Sequence, residues 1–247
     1  MLCDMHIHSC LSPCGDDDMT PNNIAGMAHL AALNVIALTD HNTAANASAL
    51  EKCAEKYGIA VIGGIEVNTA EDIHLLCYFA SVKTAEIFGQ KIEESLPPIK
   101  NRREIFGSQL IMDENDTVTG EKENLLINAC AMTLAQAVNL CHDYGGKAVY
   151  AHIDRDSYSV LSVLGALPAE IQIDGVEIYD ISRRRTLIET GIISPDMPFM
   201  SNSDAHYLEY IGDRRQEITP SHPLYDMIMA KQKVYKTKAC RDTLSYF

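Results

Sequence analysis

Long apolar runs are missing from this chain: none reaches the roughly 18 residues of a transmembrane helix, so no helical membrane span is expected. The first residues, MLCDMHIHSC, lack the basic and apolar regions of a secretory signal, which points to the cytoplasm. Basic residues are scarce. Twenty Lys+Arg against 34 Asp+Glu leave a formal net charge of −14, which argues against a whole-surface grip on long nucleic acid or an anionic membrane. Any anionic substrate must then be held locally, by metal or by a few arginines. CxxC pairs are also absent, so the eight scattered cysteines read as thiols in a reducing compartment, mostly small buried apolar residues. Cys10 and Cys14 lie beside the most histidine-rich segment and are expected to help shape that loop. No GxGxxG, GxxxxGK[ST] or GxSxG motif occurs, and nothing supports a serine triad. Gly63-Gly64 and Gly145-Gly146 therefore read as turn and close-packing residues. Internal repeats and low-complexity tracts are lacking as well.

What is present is the balance of a globular protein: 247 residues, 47% hydrophobic and 22% charged, enough to bury a sizeable core and to exclude disorder as the main state. Strand-like and helix-like segments alternate. Met1 to His8 reads as a strand, and Pro21 to Leu33 as a helix with Thr20 as N-cap and Pro21 at its first position. Val35 to Thr39 is a short strand, Ala44 to Tyr57 a helix stopped by Gly58, and Ile59 to Ile65 and Ile73 to Phe79 are further strands. Later, Leu134 to Tyr144 and Ser182 to Thr190 are helical, while Ala148 to Ala151, Gly175 to Ile178 and Phe199 to Ser201 are strands. Such alternation predicts a parallel sheet of βα units, with a (β/α) barrel leading, as a single domain over residues 1–247. Residues 82–124 break the rhythm with charge, the Pro97-Pro98 pair and the polar stretch DENDTVTGEKEN. They read as an insertion whose helical parts, Glu86 to Ser95 and Arg102 to Leu110, serve as a lid or a dimer contact.

Histidines and carboxylates carry the chemistry. His6 and His8 form an HxH pair inside a strand, where alternate residues share a face, so both imidazoles can reach one metal; Asp4 extends that face. An isolated HxH pair is as readily two surface histidines. Recurrence decides otherwise. Asp40 and His41 close the strand VIALT, Glu66 follows VIGGI, His74 begins HLLCYFA, His152 follows AVYA, and Asp204 and His206 come just after PFMS. Residues at strand ends converge on the active face of a parallel barrel. Asp16, Asp17 and Asp18 follow the HxH strand, and although carboxylates also favour a helix start, one of them, with Asp16 preferred, is a candidate ligand. His29, His142 and His222 lack a strand-end setting and read as structural.

The order DMHIHS, TDHN, GGIEV with a later His74, YAHIDR and SNSDAH resembles the PHP (polymerase and histidinol phosphatase) family over about Met1 to Gly212. The form HSxxS…TP…ALTDHNT is most similar to its stand-alone phosphoesterases, including those acting on nucleotide monophosphates and short oligonucleotides. The resemblance implies a distorted seven-stranded (β/α) barrel with three clustered divalent metals. Carried onto this chain, it has His6, His8, Glu66 and Asp204 hold one metal, with Glu66 bridging to a second completed by His74 and His152. The third takes His41, His206 and a loop ligand. Relatives place Asp or His there, whereas this chain reads SPCGDDD, which leaves Asp16 or Asp17, and counting back from Thr20-Pro21 favours Asp16. Asp40 and Asp4 orient ligands in this reading.

Mixed nitrogen and oxygen donors suit zinc, manganese or iron better than calcium. Clustered ions of that kind acidify a bridging water, supply hydroxide for attack on phosphorus and bind phosphoryl oxygens, so hydrolysis of a phosphate ester is expected, with Glu66, Asp204 and His206 nearest the chemistry. A metal-bound water, or His206 if not fully engaged, protonates the leaving oxygen. Arg102, Arg103, Arg155 and the run Arg183, Arg184, Arg185 are the candidates for gripping phosphate, each weighed against an ordinary surface ion pair. The expected substrate is a small phosphomonoester, nucleotide or short oligonucleotide. Two alternatives stand beside it. An amidohydrolase-type enzyme also opens with HxH in a barrel, and a non-catalytic protein can keep a metal site for stability, although the complete ligand set argues against decay.

Overall fold

Thr20 and Pro21 start the first helix as their chemistry dictates, in this computed structural model, which describes residues 1–233. The Thr20 hydroxyl accepts from the Asn23 amide, and Pro21 occupies a position where a missing amide hydrogen costs nothing. This helix, α1 (Pro21–Leu30), follows β1 (Leu2–Ile7) and precedes β2 (Val35–Leu38), α2 (Ala47–Glu55), β3 (Ala60–Asn68) and β4 (His74–Phe79). Helix α3 (Val82–Glu93) comes next, then α4 (Arg103–Phe106), β5 (Leu110–Met112) and β6 (Val118–Glu121). Further along come α5 (Leu134–Asp143), β7 (Lys147–Tyr150), α6 (Val160–Leu164), β8 (Gly175–Glu177), α7 (Arg184–Glu189), β9 (Phe199–Met200) and β10 (Gln216–Glu217).

The main sheet runs in the order β10-β1-β2-β3-β4-β7-β8-β9. A parallel bridge between Ile7 and Ala205 brings the chain after β9 back onto β1, so β1 to β4 and β7 to β9 form a nearly closed wall. Strand β10 adds a two-residue antiparallel edge beside β1. Two apolar clusters lie on the two faces of this wall. Cys3, Met5, Ala37, Ile62, Tyr78, Val149 and Met200 fill the interior, while Ile36, Leu38, Val61, Leu75 and Phe79 meet the helices outside. The result is a distorted (β/α) barrel.

The sheet is not wholly parallel as the alternation predicts. Strand β4 pairs antiparallel with both β3 and β7. The reason is the connection: residues 69–73 form a tight turn, closed by the Thr69 amide on the Ile73 carbonyl, and a parallel crossover needs a dozen residues or more. Reversal puts the first residue of β4, His74, on the rim where its neighbours end.

Gly63 and Gly64 serve close packing. A Cβ at Gly63 would lie 2.8 Å from the Ala85 Cβ of α3, and one at Gly64 2.6 Å from the Leu38 carbonyl oxygen of β2. Helix α3 buries Val82, Ala85, Phe88 and Ile92, so it belongs to the outer helix layer. The helix expected from Arg102 to Leu110 is only α4, because Gly107 turns the chain at φ +87° and Leu110 begins a hairpin of β5 and β6. That hairpin docks on the loop after β1, the Leu110 amide donating to the Cys10 carbonyl. Residues 182–190 split into a 3-10 turn, Ile181–Arg183, and α7.

Candidate metal centre

Glu66 sits near the end of β3, 1% exposed, with imidazoles gathered round its carboxylate. His74 Nδ1 lies 2.9 Å from it, His41 Nδ1 3.1 Å, His6 Nε2 3.3 Å, and His8 Nε2 and His152 Nε2 each 3.4 Å. Asp204 joins them, its Oδ1 3.2 Å from both His6 Nε2 and His8 Nε2. His206 stacks on His8 with ring centroids 4.3 Å apart. Eight of the nine predicted metal ligands thus meet at one rim, contributed by the ends of β1, β2, β3 and β7, the start of β4, and the segment after β9. Four non-glycine residues here, Asn42, His152, Tyr158 and Asp204, hold positive φ, a cost tolerated where surrounding structure fixes a functional geometry.

The fit to cations is visible in contacts that fail to be hydrogen bonds. Glu66 Oε1, His41 Nδ1, His74 Nδ1 and His152 Nδ1 are buried without a hydrogen-bond partner, although the first three crowd together. His6 Nε2 faces His8 Nε2 at 3.2 Å, a contact that is a hydrogen bond only while one ring carries a second proton. Orphaned buried polar atoms are costly, and a shared cation removes that cost. Ligand atoms group in three sets within 4.8 Å of one another: His6, His8 and Glu66; His41, Glu66 and His74; and His8, Cys14, His41 and His206. Without cations, charges inside the cluster compensate one another. Burial opposes charge on His6, yet Glu177, Asp204 and Glu66 raise its pKa well above the ordinary value. Burial likewise opposes ionised Glu66, which His74, His6 and His41 nonetheless hold well below the usual carboxylate range. Burial and the nearby His8 lower His206 to about 4, leaving it a neutral imidazole with a lone pair to offer.

Asp16 is not brought in. Its Oδ1 accepts from the Asp18 amide at 2.9 Å, its own amide donates to the His206 carbonyl, and Asp17 and Asp18 are exposed. The loop instead turns Cys14 toward the cavity, a role that the assignment of Cys10 and Cys14 to loop shaping missed. Cys14 is exposed as a residue, yet desolvation at its thiol, followed by Glu66 and Asp204, pushes the thiol pKa up, and a cation beside it would favour the thiolate.

Asp4 and Asp40 act behind the cluster. An irregular register between Asp4 and Ile7 takes Asp4 off the line of His6 and His8, and its carboxylate receives the Ser203 hydroxyl at 2.6 Å and the Gly212 amide at 2.9 Å. Asp40 accepts the Ser12 hydroxyl at 2.7 Å, and Ser12 Oγ in turn lies 3.0 Å from His8 Nδ1. Sequence reasoning overlooked Glu177 at the end of β8, whose carboxylate meets His6 Nδ1 at 3.0 Å and accepts from the His152 amide and the Asn202 side chain. Its signal was present: an acidic residue closing the apolar run GVE.

Arg155 lines the cavity, 2.8 Å from Asp204 Oδ2 and 4.0 Å over the Tyr179 ring, with Arg214 3.7 Å over the same ring. Arg102 and Arg103 do not line it. Both are exposed, Arg102 over Phe106 and Arg103 beside Lys100 and Glu121; Ile127, just beyond the 82–124 segment, reaches the cavity where Asn42 and Asn68 side chains hold the backbone of residues 126–128. Arg183, Arg184 and Arg185 are engaged by the Asp154 carbonyl, the Phe199 ring and Glu189. His29 stacks on Tyr57, His142 pairs with Asp174, and His222 lies beside Cys3, all away from the cluster.

The sequence profile of the PHP domain matches residues 4–160. A phosphoribosyl 1,2-cyclic phosphate 1,2-diphosphodiesterase of Eggerthella lenta is 29% identical over 99 residues, which cover 40% of this chain and 34% of that protein. The chain thus spans about a third of the length of that curated relative. Among solved structures, the lesion-specific endonuclease Q of Pyrococcus furiosus superposes with a TM-score of 0.59 at 20% identity, over 95% of this chain and 56% of that one. An amidohydrolase of Chromobacterium violaceum, solved with sulfate, gives 0.56 at 18% identity over 93% and 96% of the two chains. At such identities these two likenesses speak for the fold. Among the described residues, no helix is long and apolar enough to cross a membrane.

Proposed function

The chain belongs to the PHP domain family, and from that premise we propose that it is a metal-dependent phosphoesterase acting on a small phosphomonoester, a nucleotide or a short oligonucleotide. The observation that carries the reading is the buried Glu66 carboxylate with five imidazole nitrogens within 3.4 Å and no hydrogen bond to Oε1. That donor set fits three divalent ions of the zinc, manganese or iron type, with Glu66 shared between two of them. When bound, such ions acidify water and neutralise phosphoryl oxygens.

The chain's own groups do the rest. Arg155 is the phosphate-orienting residue of this reading, because its guanidinium faces the cavity and can exchange Asp204 for a phosphoryl oxygen in a bidentate pair. His206 donates its Nδ1 hydrogen to the Asp204 carbonyl at 2.9 Å, which fixes the ring with Nε2 free. Glu177 fixes His6 in the same manner. The recess is about 230 Å³, room for a phosphoryl group and part of its ester, while the net charge of −14 opposes tight binding of long nucleic acid.

The test is a panel of phosphomonoesters, mononucleotides, cyclic phosphodiesters and short 5′-phosphorylated oligonucleotides, alongside amides and lactones, with protein reconstituted in zinc, manganese or ferrous iron. Chelator-sensitive release of phosphate or nucleotide is expected. Turnover of amides or lactones with phosphate esters untouched would contradict the assignment and favour an amidohydrolase.

A further inference from the structure

The loop after β1 is folded so tightly that it selects which side chain faces the metal centre. The Ser12 amide donates to the Ser9 carbonyl and the Gly15 amide to the Ser12 carbonyl, at 3.0 and 2.8 Å, and a Cβ at Gly15 would lie 2.5 Å from the Ser9 oxygen. Only glycine fits there. The Asp16 amide then ties the loop to the His206 carbonyl, leaving Cys14 on the cavity wall and the three aspartates turned away.

We propose that the Cys14 thiolate is the loop ligand of this centre, closing a site with the His41 and His206 imidazoles, beside His8. The inference rests on the metal-dependent reading of the cluster and deepens it by naming the donor and the metal it selects. One ligand atom from each of the four residues lies within 4.8 Å of those of the others. The imidazoles are prepared for a cation. Ser12 gives its hydroxyl hydrogen to Asp40, so Ser12 Oγ accepts from His8 Nδ1, which leaves Nε2 as the nitrogen turned to the cluster. A carbonyl can only accept, so His206 donates from Nδ1 and keeps its lone pair on Nε2. His41 is 5% exposed and its buried Nδ1 has no hydrogen-bond partner. As ligands, imidazoles supply no charge, and the thiolate adds one negative unit where the expected aspartate would have done so. Sulfur also changes the choice of ion. Thiolates select zinc, cobalt and ferrous iron over manganese, magnesium and calcium.

Cobalt(II) substitution reads the sulfur directly, apart from activity. The full-length protein loaded with cobalt is expected to show a near-ultraviolet thiolate-to-cobalt charge-transfer band, which Cys14→Ser loses together with one bound zinc per chain. Cys14→Asp should restore the metal count without the band and shift preference from zinc toward manganese. Cobalt bound by the wild-type chain without that band, or the same band and zinc content in Cys14→Ser, would overturn the ligand assignment while leaving the metal-dependent reading standing. A wild-type chain that binds no cobalt at all would overturn both.

Discussion

At the scale of single residues, the centre depends on buried carboxylates that do different work. Glu66 faces five imidazoles directly, whereas Glu177 touches His6 on the nitrogen turned away from them and also receives the His152 amide. Replacing Glu66 by Gln removes the one charge shared by two ligand sets, so metal content and kcat/KM are expected to collapse together. Glu177→Gln keeps an acceptor for His6 but loses the charge that favours a basic, fixed imidazole, and should cost roughly 10- to 100-fold in metal affinity or activity. Metal titration of the two variants checks the order; equal losses would place Glu177 in the cluster itself. His6, His8, His41, Glu66, His74, His152, Asp204 and His206 were legible in the sequence because each marks an end of an apolar run. Glu177 marks one too, but a lone acidic residue with no histidine beside it carries little weight. Cys14 was hidden by chemistry more than by position, since three aspartates next to it offer a more familiar ligand for a cation.

At the scale of elements, alternation along the chain made the barrel legible, and strand direction was not. Nothing in HLLCYFA distinguishes a strand that runs up from one that runs down; the five-residue turn before it does, by being too short to cross over. The 82–124 stretch reads in the sequence as an interruption, yet its first helix packs on the barrel and its arginines stay at the surface, because charge alone does not say which face a segment covers. Beneath the sheet the barrel carries a pH-sensitive contact of its own. His222 is 3% exposed, its Nδ1 accepts the Leu224 amide at 3.1 Å, and burial lowers its pKa from 6.5 to about 4. The unfolded chain therefore takes up a proton first. This group's stabilisation is complete above pH 6.5 and is lost as pH falls from there to about 4, a difference of about 3 kcal/mol. Urea unfolding across that range should show the loss in the wild type and a flatter profile in His222→Asn, whose amide oxygen can accept the same bond. Identical profiles would mean that the histidine titrates normally in the fold.

At the scale of the whole molecule, a chain with a net charge of −14 gathers six of its nine histidines at one end of a barrel. Cations at that end, with Arg155 beside them, offset the net charge of −14 for an anionic substrate, so the metal centre is the claim on which the functional account stands. Anomalous diffraction from crystals of the full chain, grown with zinc or manganese and recorded at each metal's absorption edge, tests it most directly. The account predicts two peaks within coordinating distance of Glu66, one of them shared with His74, and a further peak bounded by Cys14, His41 and His206. A map without an anomalous peak at Glu66, from protein never exposed to chelator, would contradict it.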